Sequence, residues 1–233
     1  MIQFYSPEIL DQKVLGAEES SHCIRVLRKR VGDIIFVTDG KGNRYECEIV
    51  QADKREVKLN ILNNEYKPKN WSNRIIIAVA PTKNADRMAW LVEKATEIGV
   101  DEIRFVQCEN SERKVVNIDR LRRNAVSAMN QSLKTQLPEI RGIDPLESIY
   151  GLDGEKFYGY CDSESNRLEF EKAYGGGDVT IAIGPEGDFS QTEIEQLNGS
   201  GFKAVTFGDE RLRTETAALY ATAATHILKN ISN

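Results

Sequence analysis

Two short runs near the C-terminal end hold the residue types best suited to gripping a small ligand. They are Ile183-Gly184-Pro185-Glu186-Gly187-Asp188-Phe189-Ser190 and the stretch from Phe207 to Ala218, which reads F-G-D-E-R-L-R-T-E-T-A-A. Glycines allow backbone to approach a ligand closely, and Pro185 stiffens the first run. Glu186 offers a carboxylate. Arg211 and Arg213 offer guanidinium groups to an anion or to charge developing on a carbonyl oxygen. A tight turn without a ligand would fit the first run equally well, and pairing with Glu186, Glu210 or Glu215 would equally occupy the two arginines. G-P-E-G is not the G-x-G-x-x-G of a dinucleotide site, and no G-x-x-x-x-G-K-[ST] occurs, so P-loop phosphate chemistry is not indicated.

Each run follows a short apolar stretch and precedes a helical pattern. Ser190-Gln191-Thr192-Glu193 fits a capping box with Ser190 as N-cap, and Thr214 is the expected N-cap of a closing helix over 214–229. Arg211 and Arg213 then stand at a helix N-terminus, where the dipole disfavours cations and favours an anion. Upstream, 74–80, 103–106, 156–161, 179–183 and 203–207 read as strands, and 86–98 and 119–133 as helices, with Gly99 as a C-cap. Alternating strands and helices imply a mostly parallel sheet with helices on both faces. Ligands bind at the carboxyl ends of such strands, so the two runs are expected on one rim.

Residues 33–62 differ. Period-two alternation in 33–38, 45–50 and 56–62 around the turn Asp39-Gly40-Lys41-Gly42-Asn43 predicts a small antiparallel β-barrel, preceded by a helix over 18–27. Asn63 to Asn70, polar and interrupted by Pro68, reads as the linker between domains.

Composition excludes several classes. In 233 residues, 40% hydrophobic and 29% charged content is ordinary for a soluble globular protein. No apolar stretch approaches the ~20 residues of a membrane span, and the N-terminus lacks the basic and apolar regions of a signal peptide; a cytoplasmic location is expected. Cys23, Cys47, Cys108 and Cys161 show no C-x-x-C spacing, and His22 and His226 lie far apart, so reduced thiols and no metal site are expected. A net charge of -5 argues against coating nucleic acid over the whole surface. Local basic runs exist, however, in His22 to Arg30 (H-C-I-R-V-L-R-K-R) and in Arg120-Leu121-Arg122-Arg123. Taken singly, either reads as a solvated face.

Three motifs in order carry a resemblance over nearly the whole chain: V-E-K-A-T-E-I-G-V at 92–100, then I-G-P-E-G-x-F-S, then L-R-T-E-T-A-A. Together with H-C-I-R-V-L-R and D-G-K-G-N-R-Y, they resemble the RsmE-type ribosomal RNA methyltransferases of the SPOUT class. The resemblance implies a PUA-like β-barrel RNA-binding domain over 1–68 and a trefoil-knotted α/β methyltransferase domain over 72–233. It implies S-adenosylmethionine as cofactor, held by Gly184, Pro185, Glu186 and Gly187 on one wall and Gly208, Leu212, Thr214 and Thr216 on the other. It further implies methylation of N3 of a uridine in small-subunit (16S) ribosomal RNA or the assembled 30S subunit, by a homodimer. Arg213 is then the candidate for stabilising charge on a uracil carbonyl. Glu186 is the candidate base, or else accepts backbone N–H bonds. Arg25, Arg28, Lys29 and Arg30 are candidate RNA contacts. Asp188 stands where the family commonly has a second glycine, and Asp209 and Glu210 where it often has basic or neutral residues. Ribose 2′-O-methylation and a non-catalytic RNA-binding factor are the alternatives, with a small-molecule α/β enzyme as a third that leaves the N-terminal barrel and basic run unexplained.

Overall fold

The computed structural model describes residues 2–161 and 167–231. The chain divides into two compact units. One comprises Met1–Asn70 with Val126–Leu137, the other Trp71–Ala125 with Pro138–Asn233.

In the first unit, β1 (Gln3–Tyr5), α1 (Ile9–Gln12), β2 (Val14–Leu15) and α2 (Ala17–Ser21) precede β3 (Ile34–Thr38), β4 (Asn43–Ala52) and β5 (Val57–Tyr66). The strands form one sheet in the order β1-β3-β4-β5-β2. Alternate residues of a strand face opposite ways, so Ile35, Val37, Tyr45, Cys47, Ile49, Val57 and Leu59 turn to a shared core with Phe4, Ile9, Leu15 and Cys23. Ser6 Oγ, next to β1, donates to the Val14 carbonyl of β2 at 2.8 Å. A side-chain bond thus joins the two edge strands of the expected barrel.

Two expectations change here. Residues 63–66 of the expected linker belong to β5, since Asn43 pairs with Tyr66 and Tyr45 with Asn64; polar side chains on a solvated strand face look like loop residues in the sequence. The helix expected over 18–27 is α2 followed by a π-helical turn, His22–Val26. Arg28 closes it with φ 54, and the Lys29 N–H reaches back to the Cys23 carbonyl at 3.1 Å. An arginine thus takes the left-handed closing position that glycine favours, and the closing bond spans one residue more than the Schellman bond that ends an α-helix.

The second unit holds β6 (Ile75–Val79), α3 (Ala85–Ile98), β7 (Glu102–Gln107), α4 (Ile118–Gln131, which runs on into the residues assigned to the first unit), β8 (Glu139–Pro145), β9 (Glu155–Gly159), β10 (Leu168–Glu169), α5 (Phe170–Ala173), β11 (Val179–Ile183), α6 (Gln191–Gly199), β12 (Lys203–Thr206) and α7 (Thr214–Ile231). The seven strands lie in the order β10-β12-β9-β11-β6-β7-β8, and every neighbouring pair is parallel. Every residue of β6 and β11 is buried, so both faces of the sheet are covered. Ala78, Ala182 and Tyr158 pack with Ile194 and Leu197 of α6, while α7 contacts β6 and β11 and packs on α3.

Local signals set the helix ends. Asn84 caps α3 by accepting the Asp86 N–H at 2.8 Å, and Gly99 ends that helix. Ser190 and Glu193 complete the expected capping box of α6, at 3.3 and 2.8 Å. Sequence patterning missed β1, β2, β8 and β10, which are short or polar. It also carried the strand after Glu155 two residues too far: β12 pairs with β9 only as far as Gly159, leaving Tyr160 and Cys161 in a loop.

Candidate cofactor cavity

Parallel strands place the loops after β9, β11 and β12 on one edge of the sheet, and there they enclose a cavity of about 560 Å³. That lies within the roughly 300–1,000 Å³ usual for small-molecule sites. The first wall is Gly184, Pro185, Glu186 and Asp188, and the second runs from Phe207 to Thr214. Gly159, Tyr160, Cys161 and Arg167 close the third side.

The two walls are tied together. Thr214 is buried and its hydroxyl donates to the Gly184 carbonyl at 3.1 Å. This corrects its expected role. Thr214 is the first residue of α7, and the carbonyl of Arg213 before it accepts the Ala217 N–H at 2.8 Å, so Arg213 holds the cap position. The threonine hydroxyl joins the loops instead of serving its own helix. The loops also need their glycines. Gly208 has φ 116, a conformation side chains rarely adopt. A Cβ on Gly184 would stand 3.1 Å from the Phe189 ring.

Of the eight residues expected to hold a cofactor, Gly184, Pro185, Glu186, Gly208, Leu212 and Thr214 line the cavity. Gly187 and Thr216 do not; Gly187 lies against Asn110, which donates to its carbonyl at 3.3 Å, and Thr216 is exposed in the first turn of α7. Arg213 lines the cavity and is exposed. Among the described residues neither Arg211 nor Arg213 forms an ion pair, and Glu215 turns instead to Arg87 at 3.5 Å. Glu186 is exposed on the cavity wall, and no described residue donates a hydrogen bond to its carboxylate.

Sequence reasoning missed the third side of the cavity. The Arg167 guanidinium donates to the Tyr160 carbonyl at 2.9 Å. Burial first, and the Asp188 charge second, push the Cys161 thiol up, against the pull of Arg211 and Arg167. The thiol therefore stays protonated near neutral pH and is a poor nucleophile. Only the strand pairing that stops at Gly159 could have exposed these residues.

Asp188 adopts φ 62, the left-handed region that glycine enters freely and aspartate tolerates better than most residues. Its carboxylate accepts the Phe189 N–H at 2.9 Å and the Cys161 N–H at 3.4 Å. Those bonds give a local reason why an aspartate can stand in a glycine position.

In the first unit, Arg25, Arg28 and Arg30 are exposed, while Lys29 is half-buried with its ammonium 4.0 Å from Asp33. The four follow one another around the π turn and its cap.

Residues 69–226 match the family model of an RNA methyltransferase domain, and residues 15–62 match that of an RNA methyltransferase PUA domain. Ribosomal RNA small subunit methyltransferase E of Aquifex aeolicus is 30% identical over 225 residues, covering 93% of this chain and 95% of that one. The chain belongs to the ribosomal RNA small subunit methyltransferase E family. A second member, from Rickettsia conorii, is 26% identical over 92% of this chain and 89% of its own length. Among solved structures, a probable rRNA-methyltransferase from Porphyromonas gingivalis is 40% identical, covers 100% of both chains and superposes with a TM-score of 0.94. The methyltransferase E of Neisseria gonorrhoeae, bound to S-adenosyl methionine, is 26% identical over 98% of both chains, with a TM-score of 0.87. The SPOUT-type parallel sheet and the PUA-like domain implied by the motifs are thus the fold of this family member.

No helix among the described residues is long and apolar enough to cross a membrane.

Proposed function

We propose that this family member transfers a methyl group from S-adenosylmethionine to N3 of a uridine in small-subunit ribosomal RNA. The observation that carries the reading is the cavity walled by the β11 and β12 loops, joined by Thr214 and Gly184, in a chain whose relatives are named as small-subunit ribosomal RNA methyltransferases.

The residues fit the cofactor. Its adenosine needs apolar surface and backbone groups, and the walls present Ile183, Val205 and Leu212 beside backbone at Gly184, Pro185 and Gly208. Gly184, Pro185, Glu186, Gly208, Leu212 and Thr214 would hold it. When bound, S-adenosylmethionine supplies an electrophilic methyl group.

The chain must supply alignment and proton management. N3 lies on the Watson–Crick edge, so the target base must enter unpaired or flipped out. Arg213, uncompensated by any acid among the described residues, stabilises negative charge on a uracil carbonyl as the N3 proton departs. Glu186, with no hydrogen bond to satisfy it among the described residues, accepts that proton. Residues 1–68 serve as the RNA-binding domain, with Arg25, Arg28, Lys29 and Arg30 on phosphates, and 72–233 as the catalytic domain. Exposed Trp90, Tyr220 and Ile227 on α3 and α7 suit burial in a homodimer.

The test is methylation in vitro of small subunits lacking the modification, with digestion and mass spectrometry of the product. A 3-methyluridine is expected. A ribose methyl, or no transfer, would overturn the assignment.

A further inference from the structure

The cavity accounts for the loops after β9, β11 and β12, but not for those after β6 and β7. All strands of this sheet are parallel, so these loops leave the same edge. In the order β9-β11-β6-β7, they continue the rim outward from the cavity. Hydrogen bonds link the three loops into one surface. Asn110 Nδ2 donates to the carbonyls of Gly187 and Asp188 at 3.3 and 3.1 Å. Arg113 donates to the Lys83 carbonyl at 2.7 Å through Nη2 and at 3.2 Å through Nε, and to the Val115 carbonyl at 3.4 Å. These acceptors are neutral carbonyls, so they do not offset the guanidinium charge.

Further cations stand along this edge. Lys83 and Arg120 pair with Glu112 and Asp86, but such exposed pairs are screened by water. Lys114, Arg122 and Arg123 are exposed and form no ion pair among the described residues. Glu109 and Asp119 lie on the same loop and helix start, so the edge is a mixed surface with basic excess in a chain of net charge -5. The run Arg120-Leu121-Arg122-Arg123, readable alone as a solvated face, is placed beside the site by the fold.

We propose that the β6–α3 and β7–α4 loops, with the start of α4, form a second RNA-contact surface, in which Lys114 of the loop and Arg122 and Arg123 of α4 bind phosphates of the single strand flanking the nucleotide in the cavity. Arg113 is the positioning residue that holds the two loops together. This rests on the RNA reading above. Extruding one base into a cavity requires the strand on either side to be held, and phosphate contacts set register without reading sequence. A rim continuous with the cavity lip and carrying unneutralised cations meets that need.

The experiment titrates a labelled single-stranded RNA into the full chain across a range of salt. The triple variant Lys114→Gln, Arg122→Gln, Arg123→Gln should lower the slope of log affinity against log salt by about 2 and weaken binding on the order of 10-fold at low salt. S-adenosylhomocysteine binding, measured by calorimetry, should not change. Lys203→Gln, an exposed charge at the opposite edge where β12 begins, should leave the slope as it is. An unchanged slope in the triple variant, or an equal loss per charge at Lys203, would overturn the proposal. Failure of the wild type to methylate small subunits would sink the functional reading instead, and the titration would still report on this edge.

Discussion

At the residue scale, three side chains around the cavity separate binding from chemistry. Thr214 is buried and bonded across the cavity to the Gly184 carbonyl. Thr214→Val keeps the shape and leaves that carbonyl without its donor, which costs about 1–3 kcal/mol; calorimetry should show weaker cofactor binding and denaturation a lower midpoint. Arg213→Ala should instead leave cofactor affinity nearly unchanged while single-turnover methyl transfer falls by roughly 100-fold or more, as when one donor to a developing oxyanion is lost. Unchanged turnover would remove Arg213 from the mechanism. Asp188 holds φ 62, so Asp188→Gly should be more stable than Asp188→Ala by about 1 kcal/mol in urea unfolding, since alanine meets the left-handed penalty without the carboxylate's bonds. An alanine variant as stable as the glycine variant would show that the backbone there relaxes.

At the element scale, α2 carries a titration that the function does not use. Burial raises the Glu19 carboxyl to about 7. The Tyr5 backbone N–H and the Asn130 side chain pull it down, and Glu18 adds a smaller upward push. A carboxyl raised in the fold contributes stability fully present below its ordinary value near 4.5 and lost as pH rises through about 7. The stability of the chain should therefore fall across that window by on the order of 1–3 kcal/mol. Glu19→Gln should flatten the profile, and denaturant midpoints taken between pH 4.5 and 8 would show it. The elements most legible in the sequence were those whose signal is local: the capping box at Ser190, the continuous apolar runs of β6 and β11, and the glycine after α3. The π turn at His22–Val26 had no such signal, since the helical spacing of its apolar residues does not tell a π turn from an α-helical one.

At the scale of the whole molecule, charge is distributed unevenly. A net charge of -5 coexists with the cationic run from Arg25 to Arg30 in the first unit. If that run meets phosphates, reversing Arg25, Arg28 and Arg30 to Glu should weaken RNA binding and reduce its salt slope by about 2, with cofactor affinity intact. An affinity that ignores the change would make the run a solvated face. Because these residues belong to the first unit and the cavity lies wholly in the second, the two readouts are separable by design.

The sequence by itself determined the class of fold, the capping of α6, the identity of the two cavity loops and the ordered motifs that place the chain in its family. Each is written in neighbouring residues: a period, a cap, a glycine or a short run. The tertiary structure decided what distant residues do together. It turned Thr214 from a cap into a bridge, left Arg213 and Glu186 without partners among the described residues, and brought Tyr160, Cys161 and Arg167 to the cavity. It also placed the loops after β6 and β7 beside the loop after β11. Strand order is the reason: β11 sits between β9 and β6, and parallel pairing of strands far apart in the chain sets which loops share an edge.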